Sequence, residues 1–102
     1  MAQFTTRVLL NGYPSADDYE KLHKAMKKKG FSRVIKADDG TNYWLPNAEY
    51  DRDTAVGRAQ VLADAKAAAD TVTTSSEILV TESNGRTFIG LKKASAADAV
   101  AA

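Results

Sequence analysis

His23 is the residue of this 102-residue sequence best suited to acid–base chemistry near neutral pH. It is the sole histidine, and imidazole is the one side chain whose ordinary pKa lies in that range. Lysines flank it at positions 21, 24 and 27 to 29. Such a histidine could take a proton from the 2′-hydroxyl of RNA while lysines stabilise the phosphorane charge. His23 is our candidate catalytic residue, and a half-exposed histidine with no chemical role is the alternative.

Basic residues of the first predicted helix form a second candidate site. Lys21, Lys24 and Lys28 follow the i, i+3, i+7 spacing of one helix face. With Arg33 from the following strand, they are predicted to bind the phosphate backbone of RNA. The alternative is that the lysines only complement the helix dipole and keep the surface soluble.

Two neighbouring aromatic residues, Tyr43 and Trp44, lie in a predicted strand. Successive strand residues point to opposite faces, so one of the two rings must leave the core. An exposed ring on a sheet could stack an RNA base, or it could seal an interface between two copies of the chain. We predict a homodimer surface here and keep base stacking as the alternative.

Asp38 and Asp39 could bind a metal together with Glu49 or Asp51. However, Asp39-Gly40 is also a preferred two-residue hairpin turn, in which both central residues take positive φ. We predict the turn, no metal site and no cofactor. The absence of cysteine excludes thiolate ligands and thiol nucleophiles.

The hydrophobic pattern predicts a single α+β domain. Strands are predicted over 4–10, 31–36, 41–45, 77–81 and 86–91, and helices over 16–29 and from 53 or 54 to 70–72. A capping box at Ser15 begins the first helix, residues 47–53 form a polar connection, and Asn84-Gly85 turns a second hairpin. The order matches a ferredoxin-like βαββαβ sandwich, with two helices on one face of an antiparallel sheet and an extra C-terminal hairpin strand. Residues 1–93 form the domain, and the Ala-rich segment 94–102 is predicted to be disordered.

Composition limits the classes of function. The chain has 14 basic and 13 acidic residues and is 44% hydrophobic, as in an ordinary globular protein. No secretory signal pattern or membrane-spanning run is present, so we expect a cytoplasmic protein with no membrane partner. No Gly-rich phosphate loop or nucleophile motif indicates a metabolic enzyme.

Several stretches of the first half resemble the GhoS family of antitoxins. These stretches are Tyr13-Pro14-Ser15, Gly30-Phe31-Ser32-Arg33, and Ala37-Asp38-Asp39-Gly40 leading to Leu45-Pro46. The resemblance implies a small ferredoxin-like antitoxin of type V, which cleaves the messenger RNA of a membrane-lytic toxin. Related folds among CRISPR adaptation nucleases place a metal-binding aspartate at the end of the first strand. This sequence has Asn11-Gly12 there, and an amide is a poor sole ligand for Mg²⁺.

A non-catalytic role remains the alternative to an RNA-acting antitoxin. In that case the chain is a dimeric adaptor that binds a protein partner through its sheet face or an edge strand. RNA binding should weaken steeply with added salt, whereas an apolar interface should not.

Overall fold

The computed structural model describes residues 1–102, which form six strands and three helices. In chain order they are β1 (Ala2–Leu10), α1 (Ala16–Lys28), β2 (Val34–Lys36), β3 (Asn42–Trp44), β4 (Glu49–Thr54), α2 (Arg58–Asp70), β5 (Ser76–Ser83), β6 (Lys93–Ala94) and α3 (Ala96–Ala101). The strands divide into two antiparallel sheets, ordered β4-β1-β5 and β2-β3-β6. None of the helices is long and apolar enough to cross a membrane.

The core lies between the larger sheet and the two long helices. Phe4 and Val8 of β1 are fully buried on the sheet face toward the helices, and Tyr50 joins them from β4. Leu22 of α1 and Val61 of α2 meet this face from above. Most of the buried residues of α2 are alanines, which let this helix lie close to the sheet.

The first helix begins where the sequence predicts. Ser15 Oγ accepts a hydrogen bond from the Asp18 N–H, and the Asp18 carboxylate accepts one from the Ser15 N–H. This reciprocal pair satisfies two backbone donors that a helix start otherwise leaves free. The capping box therefore fixes the start of α1, and the helix buries Leu22 and Met26 against the core.

The polar connection predicted over residues 47–53 is wrong, because most of it is strand β4. Its pattern looks polar because Tyr50 is its only buried residue. Arg52 and Asp51 are instead satisfied by ion pairs, to Asp64 and Arg86 respectively. The second helix accordingly starts later than predicted, at Arg58, with Gly57 as its N-cap.

The predicted final strand over 86–91 is also wrong. After β5 the chain does not fold back beside it as a hairpin. Arg86 Nη1 instead reaches Asp51 Oδ1 of β4 at 2.9 Å. The chain then crosses to the smaller sheet, where β6 pairs with β3. The α+β class and the antiparallel pairing are confirmed, but two sheets replace the single sheet of the prediction.

The hairpin between β2 and β3 is present, although its turn differs from the predicted type. Ala37 O accepts from the Gly40 N–H, so Asp38 and Asp39 are the central residues of the turn. Asp39 does not take positive φ, while Gly40 does, at +87°. A glycine just past the turn supplies the left-handed conformation at no steric cost.

The Ala-rich segment 94–102, for which we predict disorder, contains the end of β6 and all of α3 in the structure. A second capping box, formed by Ser95 and Asp98, starts α3. Lys27 Nζ donates to the carbonyl oxygens of Val100 and Ala101, each at 2.7 Å. These bonds join α3 to the end of α1.

Candidate functional site

His23 and Tyr50 form a hydrogen-bonded pair between α1 and β4. His23 Nδ1 lies 2.6 Å from the Tyr50 hydroxyl oxygen, and Tyr50 is only 1% exposed. Burial raises the pKa of the Tyr50 phenol well above its usual value, although the charge of Arg33 opposes this. The phenol therefore keeps its proton at neutral pH.

The pair determines which nitrogen of His23 carries a proton. The Tyr50 hydroxyl has no other hydrogen-bond partner in the protein, and a buried hydroxyl proton needs an acceptor. The phenol therefore donates to Nδ1, which leaves the proton of the neutral ring on Nε2. Burial, and then the charge of Arg33, lower the pKa of His23 below 6.5, while Glu20 acts in the opposite direction. At neutral pH, His23 thus presents an N–H donor.

Arg33 is the charged centre of the site. Its guanidinium carbon lies 5.2 Å from the centre of the Trp44 ring, in a cation–π contact. Its side chain makes no ion pair and no hydrogen bond within the protein. A guanidinium with five free donors is a strong site for a planar or tetrahedral anion.

Three clefts share Arg33. The histidine cleft, of about 200 Å³, is bordered by Glu20, His23, Lys24, Lys27, Arg33 and Trp44. The tryptophan cleft, of about 450 Å³, is bordered by Arg33, Trp44, Pro46, Asn47, Leu91 and Lys92. The tyrosine cleft, of about 480 Å³, is bordered by Arg7, Tyr19, Glu20, His23, Arg33 and Asn47. Cations outnumber the one carboxylate, Glu20, around these openings.

The structure brings together some of the residues that the sequence nominates and separates others. His23, Lys24, Arg33 and Trp44 all border the histidine cleft. Lys21 lies outside it and pairs with Asp17 at 3.4 Å on the exposed side of α1. Lys28 and Tyr43 also lie outside these three clefts, and the ring centre of Tyr43 lies 4.9 Å from that of Phe88.

Sequence reasoning missed two members of the site, Tyr50 and Glu20, and did not show how a third, Lys27, is engaged. Tyr50 was hidden in a segment that reads as a polar loop, and its partner His23 is 27 positions away. Glu20 lies one helical turn before His23 and borders the same cleft. Lys27 was visible in the lysine run, but only the position of α3 shows that its ammonium is engaged.

The acidic residues considered as metal ligands are not grouped as a metal site requires. No group of three or more histidine, aspartate and glutamate side chains could hold a metal ion. Asp39 accepts the Thr41 N–H at 2.8 Å, and this bond lowers the pKa of its carboxyl. Burial raises the pKa of the Asp51 carboxyl despite its ion pair with Arg86.

The arrangement combines a free guanidinium, an ammonium and an imidazole N–H donor with an aromatic ring. The first three complement phosphate oxygens, and the ring complements a nucleobase. No protein-family model and no curated protein matches this chain.

Proposed function

We propose that this chain is a GhoS-like antitoxin that acts in the cytoplasm on single-stranded RNA and holds the phosphate backbone in the histidine cleft. The observation that carries the proposal is the unpaired Arg33 guanidinium beside the N–H donor of His23 and the ammonium of Lys24. Because no carboxylate of the protein bonds Arg33, its guanidinium donors stay available for an external anion. Phosphodiesters offer that anion at regular spacing along RNA.

The hydrogen bond with Tyr50 favours a particular role for His23. Because Nε2 carries the proton, His23 donates a hydrogen bond to a phosphate oxygen and does not take the proton of the 2′-hydroxyl. In an endoribonuclease, such a donor stabilises the extra charge on the phosphorane oxygen. Cleavage at this site therefore relies on charge stabilisation by His23 and Arg33. The 2′-oxygen bonds to phosphorus and displaces the 5′-oxygen, while water takes the 2′-hydroxyl proton and supplies one to the 5′-oxygen.

We infer a ferredoxin-like fold as part of the same proposal. An isolated antiparallel bridge joins Ser32 to Asp51, beside the outer edge of β4. It extends the larger sheet by one position, to the order β5-β1-β4 followed by the segment that enters β2. This order supports the inference of a ferredoxin-like sheet whose second strand is short.

The experiment measures binding and cleavage of a labelled single-stranded RNA pool, with and without Mg²⁺. It compares the wild type with His23→Ala and with Tyr50→Phe, which keeps the ring and removes only the phenol oxygen. We expect the wild type to bind at low salt, and both variants to lose affinity and any cleavage. A Tyr50→Phe variant that cleaves faster than the wild type would show that His23 acts as a base. Failure of the wild type to bind RNA at low salt would refute the proposal.

A dimeric adaptor remains the second candidate, because of β5. This strand lies at the edge of the larger sheet, and Leu79 on it is 65% exposed. An antiparallel pair of two β5 strands centred on Leu79 would place Ile78 opposite Val80 and Glu77 opposite Thr81. Such a pair joins apolar residues and brings no like charges together.

The adaptor candidate is tested by molar mass in solution at low and high salt. A dimer that persists at high salt and is lost in Leu79→Lys would support it. Leu9→Lys is the matched control, since Leu9 is also exposed but lies on the central strand. A monomer at all concentrations would remove this candidate.

A further inference from the structure

The tryptophan cleft adjoins the histidine cleft through a shared wall. Arg33 and Trp44 border both openings, and the guanidinium lies over the indole ring. A molecule that contacts Arg33 in one cleft therefore lies next to the other cleft. The volume of the tryptophan cleft, about 450 Å³, falls in the range of small-ligand sites.

We propose that the tryptophan cleft is a nucleoside subsite, in which a nucleobase packs on Trp44 while the adjoining phosphate is held by Arg33. The inference rests on the proposed function and specifies how the RNA is oriented at that site. Base–aromatic stacking tolerates any of the bases, because each has a flat π-face. The subsite thus serves recognition of a single strand, whose bases are free to splay out.

The backbone that carries the indole is held by hydrogen bonds before any ligand binds. The backbone N–H of Trp44 donates to Lys92 O, and the backbone N–H of Leu45 donates to Arg33 O, both at 2.8 Å. These bonds hold β3 between β2 and the segment that precedes β6. A ring held on a paired strand needs little ordering on binding, which lowers the entropic cost of stacking.

Free polar groups stand at the rim of the cleft, where a base edge would lie. The Asn47 side chain makes no hydrogen bond within the protein, and Lys92 makes no ion pair. The amide offers a donor and an acceptor, and the ammonium offers donors alone. Pro46 and Leu91 complete an apolar lining for the face of the base.

The test uses the fluorescence of Trp44, which is the only tryptophan of the chain. Wild-type protein and the His23→Ala variant are titrated with a single-stranded hexanucleotide, with uridine monophosphate, and with ribose 5-phosphate. We expect the hexanucleotide and the nucleotide to quench the emission, and ribose 5-phosphate to leave it unchanged. Parallel anisotropy of labelled hexanucleotide reports binding independently of the indole.

Matched substitutions on one strand complete the test. Trp44→Leu should weaken hexanucleotide binding by about 5- to 100-fold, as expected for the loss of one stacked base. Tyr43→Leu, on the same strand but packed against Phe88, should leave affinity unchanged, and Asn47→Ala should weaken it a few-fold. Binding by anisotropy without quenching would overturn the subsite and leave the proposed function standing. Absence of all binding would overturn both.

Discussion

Two arginines of this protein make similar cation–π contacts with aromatic rings, yet only one of them forms an ion pair with a carboxylate. Arg52 lies 5.2 Å from the ring of Phe31, and Arg33 lies 5.2 Å from the ring of Trp44. Arg52 Nη1 also bonds Asp64 Oδ2 at 2.7 Å, and the two side chains are only 16% and 19% exposed. Arg33 has no such carboxylate and faces three clefts.

The difference separates a structural arginine from one available to a ligand. The Arg52–Asp64 ion pair joins β4 to α2, and the hydrogen bond from Arg52 lowers the pKa of the Asp64 carboxyl. The charge of Arg52 is therefore neutralised within the protein by Asp64. The charge of Arg33 is balanced by no bonded carboxylate, and it lowers the pKa of His23.

The comparison is tested most directly by removing each arginine in turn. Arg33→Ala should weaken RNA binding by about 10-fold or more, since a charge-assisted bond contributes about 1.5–3 kcal/mol, and it should lower the free energy of unfolding less than Arg52→Ala does. Arg52→Ala should do the reverse, because it leaves the Asp64 carboxylate with only its bond from Gln60, at a cost of about 1–3 kcal/mol in the free energy of unfolding. Anisotropy with labelled RNA and urea unfolding measure the two effects.

A control sharpens this prediction. The double variant Arg52→Leu with Asp64→Leu removes both charges and should recover part of the stability lost in Arg52→Ala. If Arg33→Ala destabilised the fold as much as Arg52→Ala, the distinction between the two arginines would be wrong.

A smaller effect is expected from pH on the His23–Tyr50 pair. The pKa of His23 is lowered in the folded state, first by burial and then by Arg33, from an ordinary value of 6.5. The folded protein therefore binds the proton more weakly than the unfolded chain does. The stabilisation from neutral His23 is complete above pH 6.5 and is lost as pH falls through the folded pKa. NMR titration of the single histidine should give this lowered pKa directly.

His23→Gln separates this contribution from those of the carboxyl groups. The difference in unfolding free energy between the wild type and the variant should shrink as pH falls from about 7 to about 5. A difference that stays constant, or an NMR pKa above 6.5, would contradict the arrangement of the site.

The smallest effect compares two lysines of α1. Lys24 borders the histidine cleft, whereas Lys28 does not, although both are exposed. Lys24→Ala should reduce the slope of log affinity against log salt by about 0.7, which corresponds to one phosphate contact with a single strand. Lys28→Ala should leave the slope unchanged. Equal losses in both variants would indicate a diffuse basic surface with no defined cleft.

Much of the fold follows from local patterns. The capping box at Ser15 and the apolar spacing of Leu22 and Met26 predict α1 to within a residue or two. The β-branched and aromatic residues of 4–10 and the strong strand pattern of 77–81 predict the strands β1 and β5. These elements are predictable because their signals come from residues close together in sequence.

The site itself was only partly predictable. His23, Lys24, Arg33 and Trp44 could be nominated from residue type, but nothing local indicates that they converge. Tyr50 was missed because β4 satisfies its charged residues through Asp64 and Arg86, which lie 12 and 35 positions from their partners. A segment whose polar groups find distant partners has the appearance of a loop in the sequence.

The sequence by itself therefore determined the helix α1, the strands around β1, and the single histidine and tryptophan on which the site is built. Only the tertiary structure decided that Arg52 is neutralised and Arg33 is not, and that the Tyr50 phenol holds the proton of His23 on Nε2. The physical reason is that helix caps and hydrophobic periodicity act over a few residues. The charge state and tautomer of a side chain depend instead on partners that only folding brings within hydrogen-bond distance.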